Sequence, residues 1–360
     1  MHRLSHAGLD ATTLLRRVAR ALHRAAPFEL YSAATIDPAS NLITSAFAEP
    51  MNGGESELRP VHPAWFQQFY FEEGFEQTVA LLRRRRWATT IGEETGGKPD
   101  WSLCYRESMR PAGIDDKLHA VFVDRGLCWG DIELYRAAGS PGFSAEEVAL
   151  VRRIAPDVGA GLKLAALRAQ ADVDQSVDSA PGVLVIGGDG SVTTTAATER
   201  LLASLVDLEP DWRERGALPV PVQVLLGMLG RTMAAAGSGD RDLAPRLRLR
   251  ARNGRWLSLH AAETEATPGR PVERIVVMAP AQSHEVAWLG MAAYDLSPRE
   301  EEVVKLVVSG QTTREISDRL FIAEHTVQRH LSNIFEKVGV RGRRALVKQV
   351  FVEQMLPNMN

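Results

Sequence analysis

The stretch LSPREEEVVKLVVSGQTTREISDRLFIAEHTVQRHLSNIFEKVGVRGRRALVKQ, Leu296–Gln349, carries four helix signals in quick succession. Ser297 precedes Pro298, with Glu300 three residues on. That spacing is a capping box, with proline at the first helical position, where its missing N–H costs nothing. Val303, Val304, Leu306 and Val307 give this helix an apolar face, and Gly310 ends it. Thr312 and Glu315 form a second capping box, opening a short helix that turns Ile316 and Leu320 inward. Phe321 and Ile322 continue as an apolar turn. The third helix is predicted from about Glu324 to Val338. Its inward residues, Val327, Leu331, Ile334 and Val338, follow the helical period, and Phe335 widens the stripe. A fourth helix, about Arg343 to Glu353, buries Leu346, Val347 and Val350.

These residues resemble the LuxR/FixJ-type helix-turn-helix family from Leu296 to about Val350. LSPREEEV, the EIS segment around Ile316, EHTVQRH and KVGVR carry the likeness. The resemblance implies a DNA reader whose third helix enters the major groove. By position, Thr326, Gln328, Arg329, His330 and Ser332 would face bases or nearby phosphates. Thr312, Thr313 and Arg314 would anchor the backbone, and Lys337 would add a phosphate contact. Three departures stand out. Gln328 replaces a common lysine, which removes a charge and permits amide readout of adenine. Ala323 replaces a capping serine, and Gly342 replaces another. An ordinary helical bundle is the rival reading; the two caps and the four-element spacing weigh against it. From Leu296 to the end, ten Lys/Arg stand against eight Asp/Glu in a chain whose net charge is −3. Binding therefore depends on a few cations sharing one face: Arg329, Lys337, Arg341, Arg343, Arg344 and Lys348 are the candidates.

The 360 residues leave room for two more modules ahead of this one. Residues 1–170 open with an amphipathic helix showing Leu14, Leu15, Val18 and Leu22 on one face. ELYSAATID and NLITSAFAE read as a strand pair, KLHAVFVD and LCWGDIELYR as a second pair joined at Asp124–Gly126. A long helix begins at a Ser144/Glu147 capping box, carries Val148, Val151, Ile154, Val158, Leu162 and Leu167 on one side, and bends at Pro156. It lies either on its own sheet or, in part, against a partner chain. This segment resembles a GAF-type sensor domain through YRESMRPAGIDDKLHAVFVDRGLCWGDIELYR and FSAEEVALVRRIAP. Residues 180–281 hold one hairpin at Gly188–Gly190, another at Asn253–Gly254 and a last strand, VERIVVMAP, and resemble a PAS-like domain. The Pro- and Gly-punctuated middle, Asp207 to Gly239, yields no clear helix. The DNA-binding module spans residues 294–356. The fold class is thus two α+β sensor-like domains followed by an all-α tetrahelical domain.

Catalytic and cofactor chemistry find little footing. Cys104 and Cys128 read as packing residues, and free cysteine is among the most buried residue types. His119, His260 and His284 stand alone, without CxxC or HExxH spacing, so neither metal nor cofactor is expected. Arg83 to Arg86 read as a solvated helix face. Trp65, Phe69, Trp101, Tyr105 and Trp129 are candidates to line a ligand pocket, with plain core packing the rival. No apolar run approaches the roughly 20 residues that cross a bilayer, and the N-terminus lacks signal-peptide character. The expectation is a cytoplasmic, non-enzymatic regulator. It would bind double-stranded DNA as a homodimer, with a small-molecule ligand sensed by its front half. The alternative is a protein-interaction regulator whose empty sensor domains serve for docking or dimerisation.

Overall fold

The computed structural model describes residues 2–51, 66–168, 180–205, 212–213, 218–235, 245–252, 255–265, 271–281, 294 and 296–347. These form two compact units, one ending at Pro280, the other beginning beyond it.

The first unit starts with α1 (Ala11–His23), whose N-cap Asp10 accepts from the Thr13 amide at 2.9 Å. Leu14, Leu15, Val18 and Leu22 are its buried stripe, as their spacing predicts. Strands β1 (Leu30–Asp37) and β2 (Leu42–Pro50) pair antiparallel. A widened helical turn over Phe66–Gly74 runs into α2 (Phe75–Arg84), followed by β3 (Ala88–Thr90) and the single turn α3 (Ile91–Glu94). The hairpin β4 (Ile114–Asp124) and β5 (Leu127–Ala137) turns at Arg125 and Gly126, φ 51° and 83°. Two successive left-handed residues match the twist of the flanking strands. The sheet order is β2-β1-β5-β4-β3.

Helix α4 (Ala145–Arg168) begins where expected, with Ser144 and Glu147 exchanging hydrogen bonds. It lies directly on β4. A methyl at Gly159 would stand 2.6 Å from the Val123 carbonyl carbon, so only glycine permits this approach. Val148, Val151, Val158 and Leu162 are buried within the chain. These four residues cover the helix's own sheet, while Ile154 of the same stripe is half-buried. Leu167 lies outside the described side chains.

A second sheet follows, from β6 (Gly182–Ile186), β7 (Val192–Thr194), β8 (Arg246–Arg250), β9 (Trp256–Glu263) and β10 (Arg274–Pro280), in the order β7-β6-β10-β9-β8. Numbered from its own first strand, each sheet reads 2-1-5-4-3. Between β7 and β8 come α5 (Ala196–Ala203) and α6 (Val220–Ala235). Helix α6 occupies the stretch where the sequence offered no clear helix. Val222, Val224, Leu225 and Leu229 are all buried, so its apolar residues surround the axis instead of forming one stripe. Asn253 and Gly254 lie outside the described residues.

The two sheets share one apolar core. Tyr70 and Phe71 from the first module pack with Val222, Leu225 and Leu229 of the second. Gly227 admits the Phe71 ring, which would overlap any Cβ there, and Arg231 donates to the Phe71 carbonyl. Asp37, 2% exposed, accepts the Arg248 amide at 3.1 Å and pairs with its guanidinium.

The second unit contains α7 (Pro298–Val308), α8 (Thr313–Leu320) and α9 (Glu324–Val338). Both capping boxes form. Val303, Val304, Val307, Ile316, Val327, Leu331, Ile334, Val338 and Leu346 make its core. Residues 343–347 are helical; Val350 and the remainder of that segment lie outside the described residues. The expected class, two α+β sheet modules and a helical C-terminal module, is the one observed.

Two predictions follow from the packing. Gly159→Ala should lift α4 off β4 and destabilise the chain by about 1–3 kcal/mol, as overpacking does; urea denaturation followed by circular dichroism measures it. Glu300→Gln should lower stability at neutral pH. Burial pushes the Glu300 carboxyl up, but the Lys337 ammonium and the Ser297 amide outweigh it and hold it below its ordinary 4.5. A depressed carboxyl stabilises the fold above its unfolded pKa, and that contribution is lost as pH falls through the folded one. The gap between wild type and Glu300→Gln should therefore close as pH drops below about 4.3. A pH-independent gap would contradict it.

Candidate nucleic-acid interface

Helix α9 owes its position to its apolar seam. Val327, Leu331, Ile334 and Val338 are buried against α7 and α8, which leaves the other face outward. Gln328, Arg329, Ser332 and Asn333 are exposed on it, and Thr326 and His330 are half-buried at its margins. The Ser332 hydroxyl donates back to the Gln328 carbonyl at 3.1 Å, and Thr326 meets the His325 ring at 3.4 Å. Ala323 occupies the N-cap and supplies no side-chain acceptor. The first amides of α9 thus lack the capping oxygen that the other two helices have, and they form the positive end of a fifteen-residue helix.

At the start of α8, the Thr312 hydroxyl is committed to Glu315. Thr313 is half-buried and Arg314 exposed, so Arg314 is the outward cation of this turn. Phe321 closes α8 in the left-handed conformation at φ 53° and is 94% exposed, whereas Ile322 turns inward. The turn is apolar, as read, but only half of it contributes to the core.

Lys337 stands differently from the other cations. Its ammonium lies 2.7 Å from a Glu300 carboxylate oxygen that also accepts the Ser297 amide. One end of Lys337 is therefore tied to the first helix, and a phosphate contact would have to use its remaining donors. The sequence identified the Glu300 cap but not this second partner, since no local pattern links residues 37 apart. Arg299 was also missed: it donates to the Leu320 carbonyl at 2.6 Å, covering the end of α8.

The aromatic residues proposed to share a ligand pocket do not converge. Trp101 is 69% exposed and borders a cavity of about 340 Å³ with Glu73, Gln77 and Glu94. Neither Glu94 oxygen has a hydrogen-bond partner, and burial pushes that carboxyl up. Tyr105 is buried in a separate cluster with Leu30, Ile91 and Met109. Trp129 borders a different cavity, of about 640 Å³. Trp65 and the Phe69 side chain lie outside what is described. Cys104 and Cys128 are both buried and free, and burial pushes the Cys128 thiol up. No group of three metal-ligating side chains occurs among the described residues, and no described helix is long and apolar enough to cross a membrane.

Comparison with known proteins concentrates on the helical module. The family of bacterial regulatory proteins called luxR matches residues 295–350. The spore germination protein GerE of Bacillus subtilis is 47% identical over 55 residues, 15% of this chain and 74% of that protein. The oxygen regulatory protein NreC of Staphylococcus aureus is 33% identical over 61 residues, 17% of this chain and 28% of that protein. Among solved structures, a GAF domain/HD domain protein from Geobacter sulfurreducens covers 44% of this chain and 97% of its own. That superposition has 15% identity and a TM-score of 0.32, too loose to bear on function. With its capped helices, buried seam and outward polar face at residues 295–350, the chain belongs to the luxR family of bacterial regulatory proteins.

Proposed function

We propose that this protein is a sequence-specific transcriptional regulator that inserts α9 into the major groove. It acts as a homodimer, in the cytoplasm, and its front modules sense a small ligand. The carrying observation is the division of α9: four aliphatic residues locked inward, with Gln328, Arg329 and Ser332 outward on adjacent turns. An amide that can read a purine edge stands one residue from a guanidinium that can pair with the adjacent phosphate. Thr326, His330 and Ser332 flank them, and Thr312, Thr313, Arg314 and Lys337 serve the phosphates. Paired copies would present two such helices to half-sites one DNA turn apart, which is the reason for the dimer.

Residues 294–356 form the DNA-binding module in this reading. Residues 1–170 are a GAF-like sensor and 180–281 a PAS-like one; their common 2-1-5-4-3 sheet order supports a shared architecture. A sensed ligand acts only through its different affinity for two arrangements of the protein.

The test is anisotropy of labelled duplexes selected from a random pool, with a scrambled duplex beside them. Arg329→Ala should weaken both duplexes alike and reduce the salt slope by about one. Gln328→Ala should cost about 1–3 kcal/mol on the selected duplex and relax one base position. If neither variant alters either duplex, the wrong face of α9 has been assigned to DNA. Light scattering with and without the duplex reports the subunit number, and a monomer in both conditions removes the dimer.

A further inference from the structure

The cavity of about 640 Å³ beside Trp129 lies between the two sheets of the first unit and draws its walls from both. That volume suits a drug-sized molecule. Two chain irregularities build one side of it. Between β1 and β2, Thr35 opposes Ser45 and Ile36 opposes Ile43, so Thr44 is an extra residue. Between β4 and β5, Phe122 opposes Gly130 and Val123 opposes Cys128, so Trp129 is another. Bulges re-aim side chains, and both extra residues border this cavity. The second module supplies the other side with Trp256 at the start of β9 and alternate residues of the RLRLRAR segment, Arg248, Arg250 and Arg252.

Two buried donors on these walls have no acceptor, the indole N–H of Trp129 and that of Trp256. Trp129 itself is 3% exposed. A buried donor without a partner costs about 1–3 kcal/mol, and two on one cavity call for an acceptor inside it. Among the described lining residues, three arginines face two acids, Asp10 and Asp37. Asp37 is paired with Arg248 and also accepts from Ala39 and Ser40, Asp10 caps α1 and Arg250 donates to the Ala165 carbonyl, so the lining carries one more cation than acid. The N-terminal turn of α1 also borders the space, adding the positive end of its dipole. Leu9, Ile36, Leu162 and Leu249 make the remaining surface apolar.

We infer that this cavity is a binding site for a small organic anion with an apolar body. Its acceptor atoms would take the Trp129 and Trp256 N–H groups, while its body lies against the leucines. Because the two donors belong to different modules, such a molecule bridges them. Its affinity then depends on how the two sheets are set, which makes the cavity the input of the sensing role proposed above. The inference rests on that role only for its consequence at DNA, not for binding itself.

The experiment uses the full chain without DNA, so its failure leaves the DNA-binding reading intact. The probe is 8-anilinonaphthalene-1-sulfonate, with uncharged N-phenyl-1-naphthylamine as its counterpart, followed by probe fluorescence and tryptophan quenching. The sulfonate should saturate at one site per chain and bind at least about tenfold more tightly than the neutral compound. Trp129→Phe and Trp256→Phe keep an aromatic ring and remove the N–H; each should weaken the sulfonate about tenfold. Trp101→Phe, on the other cavity, should leave it unchanged. Circular dichroism checks folding, and should Trp129→Phe fail to fold, Trp256→Phe, half-buried, decides alone. Absence of saturable binding, equal affinity for the neutral compound, or wild-type affinity in the folded tryptophan variants overturns the site.

Discussion

The Glu300 carboxylate sits where the first helix of the C-terminal unit begins, and the end of α9 is fastened to it. One of its oxygens accepts both the Ser297 amide, completing a capping box, and the Lys337 ammonium from the last turn of α9. A carboxylate that is 3% exposed is costly unless it is hydrogen-bonded and paired. Here both conditions are met by groups from different helices. The aliphatic seam of α9 fixes which face looks inward, and this carboxylate fixes the helix along its own axis. The outward positions of Gln328 and Arg329 follow from those two constraints together. Nothing on the outward face needs to hold itself in place, so it is free to be polar and solvated.

The first unit is organised on a different principle. Two sheets of the same strand order can keep separate cores. Instead the aromatic turn at Tyr70 and Phe71 crosses to α6, and Gly227 clears the space for it. Asp37 at the end of β1 holds Arg248 of β8 through backbone and side chain. The contacts between modules are therefore apolar burial reinforced by a buried ion pair, and neither module's surface is complete alone. The larger cavity is what this union leaves unfilled.

What the sequence disclosed follows the range of the interactions. The capping boxes at Ser297, Thr312 and Ser144, the turn at Arg125–Gly126 and the seam of α9 all depend on residues within one or two turns. Each appeared where the local pattern placed it. The stripe of α4 was visible too, but periodicity says only that a face is buried, not what covers it. Gly159 was the unread signal that β4 lies there. Helix α6 escaped because apolar residues on all sides erase the period. The pocket aromatics were grouped by type along the chain, whereas Trp101, Tyr105 and Trp129 are assigned to three places by long-range pairing. Trp129 owes its place to a bulge, and a one-residue register slip has no signature in composition.

The same bulges bear on why the cavity exists at all. Regular pairing through Trp129 would return its indole to the pleat, and an aliphatic residue there would carry no donor to satisfy. A fold under pressure for stability alone loses such a void readily, since filling it gains dispersion contacts and removes two unpaired N–H groups. The chain instead places an extra residue in each of two neighbouring strand pairs and sets both against the same space. It also keeps arginine at alternate positions along the facing strand, where the outer residues of β8 meet the first module. Stability sacrificed at one location, by donors of one polarity from two modules, has the physical form of a site held ready for an acceptor.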